Sequence, residues 1–145
     1  MKNSTMVREP VNRLLEPETG AFILRVSLGV VLLSHSVYLK MMVFTLPGTA
    51  QYFSSIGLPA FLAYVVFAAE TVAGVALVLG IKTRFFSGLI IPVLLGATWA
   101  HSGNSWLFSA EGGGWEYPLI LVLMALAQIA LGDGNFSISS RQKPI

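Results

Sequence analysis

Long apolar runs, broken by short polar or glycine-rich stretches, set the pattern of this chain. The runs fall at about residues 21–39, 60–79, 85–100 and 117–131. Each approaches the roughly 20 residues an α-helix needs to cross a hydrocarbon core. None shows the strict alternation of a membrane β-strand. The last run is the shortest and needs Trp115 and its neighbours as an interfacial end. The pattern predicts an all-α, integral-membrane four-helix bundle over residues 21–133, with tails at 1–20 and 134–145.

The breaks carry turn chemistry: Pro47-Gly48, Gly57-Leu58-Pro59, Gly80, Gly112-Gly113-Gly114 and Asp133-Gly134-Asn135. The first connection is too apolar for an ordinary loop, with Met41-Met42-Val43-Phe44 and Tyr52-Phe53. An interfacial or re-entrant half-helix is predicted there. The polar stretch before Ala21, and an apolar run too long for a signal peptide's core, predict that no signal peptide precedes the first helix.

Composition strengthens the membrane reading. Of 145 residues, 54% are hydrophobic and only 11% charged, with a mean hydropathy of +0.73. A soluble domain carries about 25% charged residues, so this surface needs lipid to face. The pI of about 9.2 hides a net charge of only +2, and the basic residues form no stripe. Nucleic acid is therefore excluded as a partner. The same residues fix topology instead. Lys2, Arg8 and Arg13 precede the first run, Lys82 and Arg84 separate the second from the third, and Arg141 and Lys143 follow the fourth. The stretch from Ser102 to Trp115 has no Lys or Arg, and the first connection has only Lys40 at its start. The positive-inside rule places both termini in the cytoplasm. Cysteine is absent, so redox chemistry would need a cofactor, a quinone or a partner.

Ionisable residues inside the runs carry the functional signal. A charge at mid-bilayer costs about 2.5–3.5 kcal/mol on the insertion scale. Glu70 lies midway along the second run, beyond snorkelling reach of either end, and must be protonated or paired with a cation. Arg25 is the expected cation. On a helical wheel Arg25, Gly29, Ser36 and Lys40 share a stripe with His35 on its flank, while Leu24, Leu28 and Val31 fall outside it. Gly74, four residues after Glu70, suits a close helix approach. In the third run Ser87, Ile91, Leu94, Thr98 and His101 recur at helical spacing, and Pro92 would loosen the backbone. Glu116 opens the fourth helix, where a carboxylate complements the dipole.

His35, Lys40, His101 and Glu116 are thus expected toward the outer surface, with Arg25 and Glu70 deeper, forming a polar funnel. Plainer readings stand beside this. Arg25–Glu70 would equally serve as a register-fixing pair, the histidines and Lys40 as interfacial residues, and Trp99, Trp106, Trp115 and Tyr117 as an aromatic belt. No helix carries a metal-ligand pair such as Glu-x-x-His, so no metal site is expected.

Several blocks resemble the DoxX family of small four-helix membrane proteins. They are Leu24-Arg25-Val26-Ser27-Leu28-Gly29, His35-Ser36 and Lys40; Phe53 to Pro59; Glu70, Gly74, Leu79-Gly80 and Thr83-Arg84. His101, Trp115-Glu116-Tyr117-Pro118 and Leu131-Gly132-Asp133-Gly134 continue the likeness. Ser36 stands where the family often has glycine. The resemblance implies a bundle in a bacterial inner (cytoplasmic) membrane, tied to redox or sulfur metabolism and to oxidoreductase subunits. The leading expectation is a quinone-interacting subunit of an oxidoreductase, its cleft holding a quinone head group or a small anion. His35, Glu70, His101 and Glu116 would be catalytic, and Arg25 and Lys40 cofactor-binding. A non-catalytic anchor for soluble redox enzymes and a small proton-coupled transporter remain open, as does a homo-oligomer.

Overall fold

A computed structural model describes residues 16–141, without the Arg141 side chain. Lys2, Arg8, Arg13 and Lys143, which carry much of the topology argument, lie outside the described residues. Helix α1 starts at Pro17, where a missing N–H costs nothing and Glu18 sits in the positive first turn. It runs as an α-helix over Pro17–Leu33 and widens into a π-helix over Ser34–Val43. The remaining helices are α2 (Leu46–Ser55), α3 (Phe61–Leu79), α4 (Thr83–Ala100), α5 (Glu116–Leu131) and the short α6 (Ile138–Arg141).

Helix α1 packs on α3 and α5, α3 on α4, and α4 on α5, which closes a four-helix bundle. Among the described residues, three helices are long and apolar enough to cross a membrane: 17–43, 61–79 and 83–100. The fourth, α5, is apolar but shorter. Helix α2 fills the first connection, where the sequence predicts a half-helix. Thr45 caps it by accepting from Gly48 N at 3.2 Å, and Thr49 Oγ1 donates to the Thr45 carbonyl at 2.9 Å.

The core is made of Leu28, Leu32, Ala73, Leu77, Ile90, Leu94, Leu121, Val122 and Ala125. Large apolar side chains such as Ile23, Val30, Val72, Leu89 and Leu123 stay exposed, as a lipid-facing surface requires. On α1 the buried stripe is Ala21, Arg25, Leu28, Gly29, Leu32 and Ser36. Leu28, expected outside that stripe, is fully buried. An inward face has room for aliphatic residues between its polar ones, and the core needs them there. On α4 the buried positions are Thr83, Ser87, Ile90 and Leu94, while Ile91 and Thr98 are only half-buried.

Helices α1 and α3 cross at two glycines. A Cβ on Gly29 would come within 2.8 Å of the Gly74 carbonyl oxygen, and one on Gly74 within 2.8 Å of Leu33 Cγ. The absence of both side chains lets the backbones touch. That crossing fixes the level at which α1 presents its polar residues to α3.

Candidate functional site

Glu70 projects from the middle of α3 and is 6% exposed. Its cation is Lys40. Lys40 Nζ lies 2.7 Å from Oε2 and 3.0 Å from Oε1, gripping both carboxylate oxygens. The ammonium also approaches the His35 carbonyl at 3.5 Å. The expected Arg25–Glu70 pair does not form: the carboxylate is satisfied from the π-helical end of α1.

That turn explains how Lys40 arrives there. In an α-helix, residues five apart lie about 140° apart around the axis. A π-helix bonds each N–H to the carbonyl five residues back, so residues five apart stack instead. Phe44 N bonds the Leu39 carbonyl in this register at 2.8 Å. His35 and Lys40 are therefore brought to one side. Nothing in the hydrophobic periodicity marks the change of register, and the five-residue spacing of His35 and Lys40 is the one trace of it. Thr49 Oγ1 on α2 reaches the Lys40 carbonyl at 3.4 Å and helps hold the end of the turn.

His35 Nδ1 bonds the Val31 carbonyl at 3.0 Å, so that nitrogen carries the proton and Nε2 is left as an acceptor in the neutral ring. Its ring packs against Tyr117 with centroids 5.9 Å apart. The Lys40 side chain keeps 17% of its surface, against 8% for Glu70. Lys40, Glu70 and His35, edged by Tyr117, therefore form a charged cluster whose lysine keeps some exposure.

The other expected site residues lie elsewhere. Arg25 is fully buried toward the end of the bundle where α3 stops at Gly80. Its Nη1 donates to the carbonyls of Leu77 at 2.6 Å and Val78 at 2.9 Å, and Nη2 to that of Asn135 at 3.1 Å. It stacks over Phe22 at 5.4 Å. The guanidinium thus caps the last turn of α3, sharing the Leu77 carbonyl with Gly80 N at 3.2 Å, and ties the C-terminal segment to it. Gly80 ends α3 with φ of 69°, and a Cβ there would strike Arg25 Nη1 at 2.7 Å. Asn135 also donates its backbone N–H to the Glu18 carbonyl at 3.0 Å, completing the knot.

His101 and Glu116 organise the loop over residues 101–115. His101 Nδ1 and Asn104 Nδ2 both bond the Gly112 carbonyl, at 3.1 and 3.0 Å. Glu116 Oε1 accepts from Phe108 N at 2.8 Å, while its own N–H donates to the Trp106 carbonyl at 3.1 Å. Trp106 and Trp115 pack edge to face at 4.4 Å. The six expected residues thus separate into three groups: a charged cluster, an inner backbone cap and a loop clasp.

The profile of the DoxX family matches residues 20–103. That is more than half of the chain, and the chain belongs to the DoxX family. The matched stretch contains Arg25, His35, Lys40, Glu70 and His101 but not Glu116. The Bacillus subtilis (strain 168) protein named "Putative oxidoreductase CatD" is similar, at 39% identity over 80 residues, covering 55% of this chain and 58% of that protein. The chain thus spans less than two thirds of that relative's length. No solved structure matches it. Together the family and the apolar helices define a multi-pass membrane protein.

Proposed function

We propose that this chain is a membrane subunit of a quinone-linked oxidoreductase, and that the Lys40–Glu70 recess receives the quinone head group. The observation that carries the reading is the ion pair itself: it is buried in a lipid-facing bundle, yet its ammonium remains partly exposed. A quinone needs a donor at its carbonyl oxygen, and a quinol needs an acceptor for its hydroxyl. Lys40 supplies the first and Glu70 the second, while the His35 and Tyr117 rings offer flat apolar walls. The head group reaches such a recess from the lipid with its tail left between helices. Quinone reduction takes up two electrons and two protons. A partner dehydrogenase supplies both electrons, and both protons come from water at the membrane surface, passed to the head group in turn through Glu70.

The similarity to a protein named as an oxidoreductase favours redox work over transport. In this reading His101 and Glu116 shape the loop above the recess rather than touching the head group. The setting is a bacterial inner membrane with both termini cytoplasmic, and the partners are lipid and oxidoreductase subunits.

The test is quinone retention. Protein purified in mild detergent is extracted and its quinones are quantified by mass spectrometry, beside Glu70→Gln and Lys40→Gln variants and a quinol-linked activity assay. Co-purified quinone that falls at least tenfold in both variants supports the site. Absence of quinone from the wild type, with activity unchanged in Glu70→Gln, would sink it and leave the anchor reading.

A further inference from the structure

The end of the bundle around Arg25 carries buried polar groups that the Lys40–Glu70 recess does not use. Thr83, Ser87 and Gln128 are, like Arg25, fully buried. Arg25 Nε, Thr83 Oγ1, Ser87 Oγ and Gln128 Oε1 have no hydrogen-bond partner among the described residues. Buried polar atoms are nearly always paired, with ordered water where protein does not serve.

Ser87 is the telling case. The hydroxyls of Ser34, Thr49, Ser54, Thr71 and Thr98 each donate to the carbonyl four residues back, at 2.8–3.2 Å. That local bond is the default for a hydroxyl in an apolar helix. Ser87 forgoes it in a fully buried position, so its side chain serves something outside its own helix.

The four groups lie toward one end of the bundle, and Thr83 alone of them opens to a surface depression. Thr83 lines a depression of about 420 Å³ with Lys82, Arg84, Phe85, Asp133 and Ser139. Ser87 is one turn further in on the same face of α4. Asp133 accepts from Thr83 N at 3.3 Å and is the acid whose charge acts on Arg25. Gln128 Nε2 donates to the Gly132 carbonyl at 2.7 Å, next to Asp133, which leaves its Oε1 unused. Beyond Ser87 the α4 face turns apolar, with Ile90 fully buried and Leu94 4% exposed in the core.

We infer that a short file of water molecules enters from the Lys82–Arg84 depression, pairs with Thr83, Ser87, Gln128 Oε1 and Arg25 Nε, and stops beneath Ile90. The set of groups selects water over an ion. Arg25 Nε–H only donates, Gln128 Oε1 only accepts, and the two hydroxyls do either. An anion would meet the Gln128 oxygen, and a cation would meet the guanidinium. Water serves all four. The file gives this face of the membrane aqueous access to the bundle interior, separated by the apolar core from the Lys40–Glu70 recess.

Water-edited solid-state NMR on the unaltered protein in lipid bilayers tests this directly. The expected result is magnetisation build-up from water at Ser87 Cβ and Gln128 Cδ as fast as at exposed Lys82, and at least fivefold slower at the Ile90 methyls. The absence of native cysteine allows a second measurement. The S–H stretch of a Ser87→Cys variant is followed by infrared spectroscopy after transfer to D₂O, beside an Ile90→Cys variant. Exchange at least tenfold faster at position 87 supports the water file. Build-up at Ser87 and Gln128 as slow as at Ile90 overturns it, whether or not the cysteine variants fold.

Discussion

Arg25 and Lys40 pose the same physical problem at opposite ends of one helix, and the molecule solves it in two ways. Each is a cation within a bundle that otherwise faces lipid. Arg25 is hydrogen-bonded in place by three backbone carbonyls, those of Leu77, Val78 and Asn135. Its partners are fixed by the end of α3 and by the returning C-terminal segment, so it cannot leave without unpairing them. Lys40 is met by a side chain, Glu70, and stays partly exposed. A cation held by backbone belongs to the architecture. A cation held by another side chain, and still partly exposed, is suited to chemistry.

That contrast makes the two ends respond differently to substitution. The largest effect is expected from Arg25→Met, which removes three hydrogen bonds to backbone carbonyls. About 3 kcal/mol of stability should be lost in thermal or denaturant unfolding in detergent, with little recovery in Arg25→Lys, whose ammonium lacks the planar fork. A loss below that of Glu70→Gln would erase the distinction. Next comes the crossing that sets the level of both sites. Gly74→Leu should force α1 and α3 apart and cost about 1–3 kcal/mol, and the Lys40–Glu70 contact should weaken with it. Wild-type stability together with wild-type quinone retention would show that the glycine contact is not what aligns the pair.

The ion pair itself should cost less than it appears to. Glu70→Gln leaves a buried ammonium without its counter-charge, whereas Glu70→Gln combined with Lys40→Met removes the problem. A double-mutant cycle should show coupling of about 1–2 kcal/mol, with the double variant more stable than Glu70→Gln alone and equally unable to retain quinone. Strictly additive effects would mean that the two residues do not meet. The smallest effect is expected in the loop. His101→Ala and Glu116→Gln should each shift stability by about 1 kcal/mol or less and change quinone retention by less than twofold. A tenfold loss in either would move the loop into the recess.

How much of this was legible beforehand depended on the kind of signal. The apolar runs announced helices in lipid because hydrophobic length is a one-dimensional property that the bilayer imposes directly. Gly74 suggested a close approach because a missing side chain has the same meaning whatever partner arrives. The mispairing of Glu70 had a different origin. Arg25 and Lys40 lie on one wheel stripe, and a wheel carries no information about which end of α1 stands level with the middle of α3. His101 and Glu116 looked like members of the same funnel because both lie near the outer ends of their helices. Level alone did not show that they close a loop on itself.

The sequence alone therefore determined an all-helical membrane bundle, the break positions, and which residues carry charge into it. Those follow from the cost of exposing backbone and charge to hydrocarbon, which each residue incurs wherever it sits. Tertiary structure alone decided the partners. The π-helical turn that carries Lys40 to Glu70, the glycine crossing that sets the helix level, and the C-terminal segment that returns to Arg25 are contacts between residues far apart in the chain. Pairing energy depends on distances of a few ångströms, and only the packed bundle fixes those.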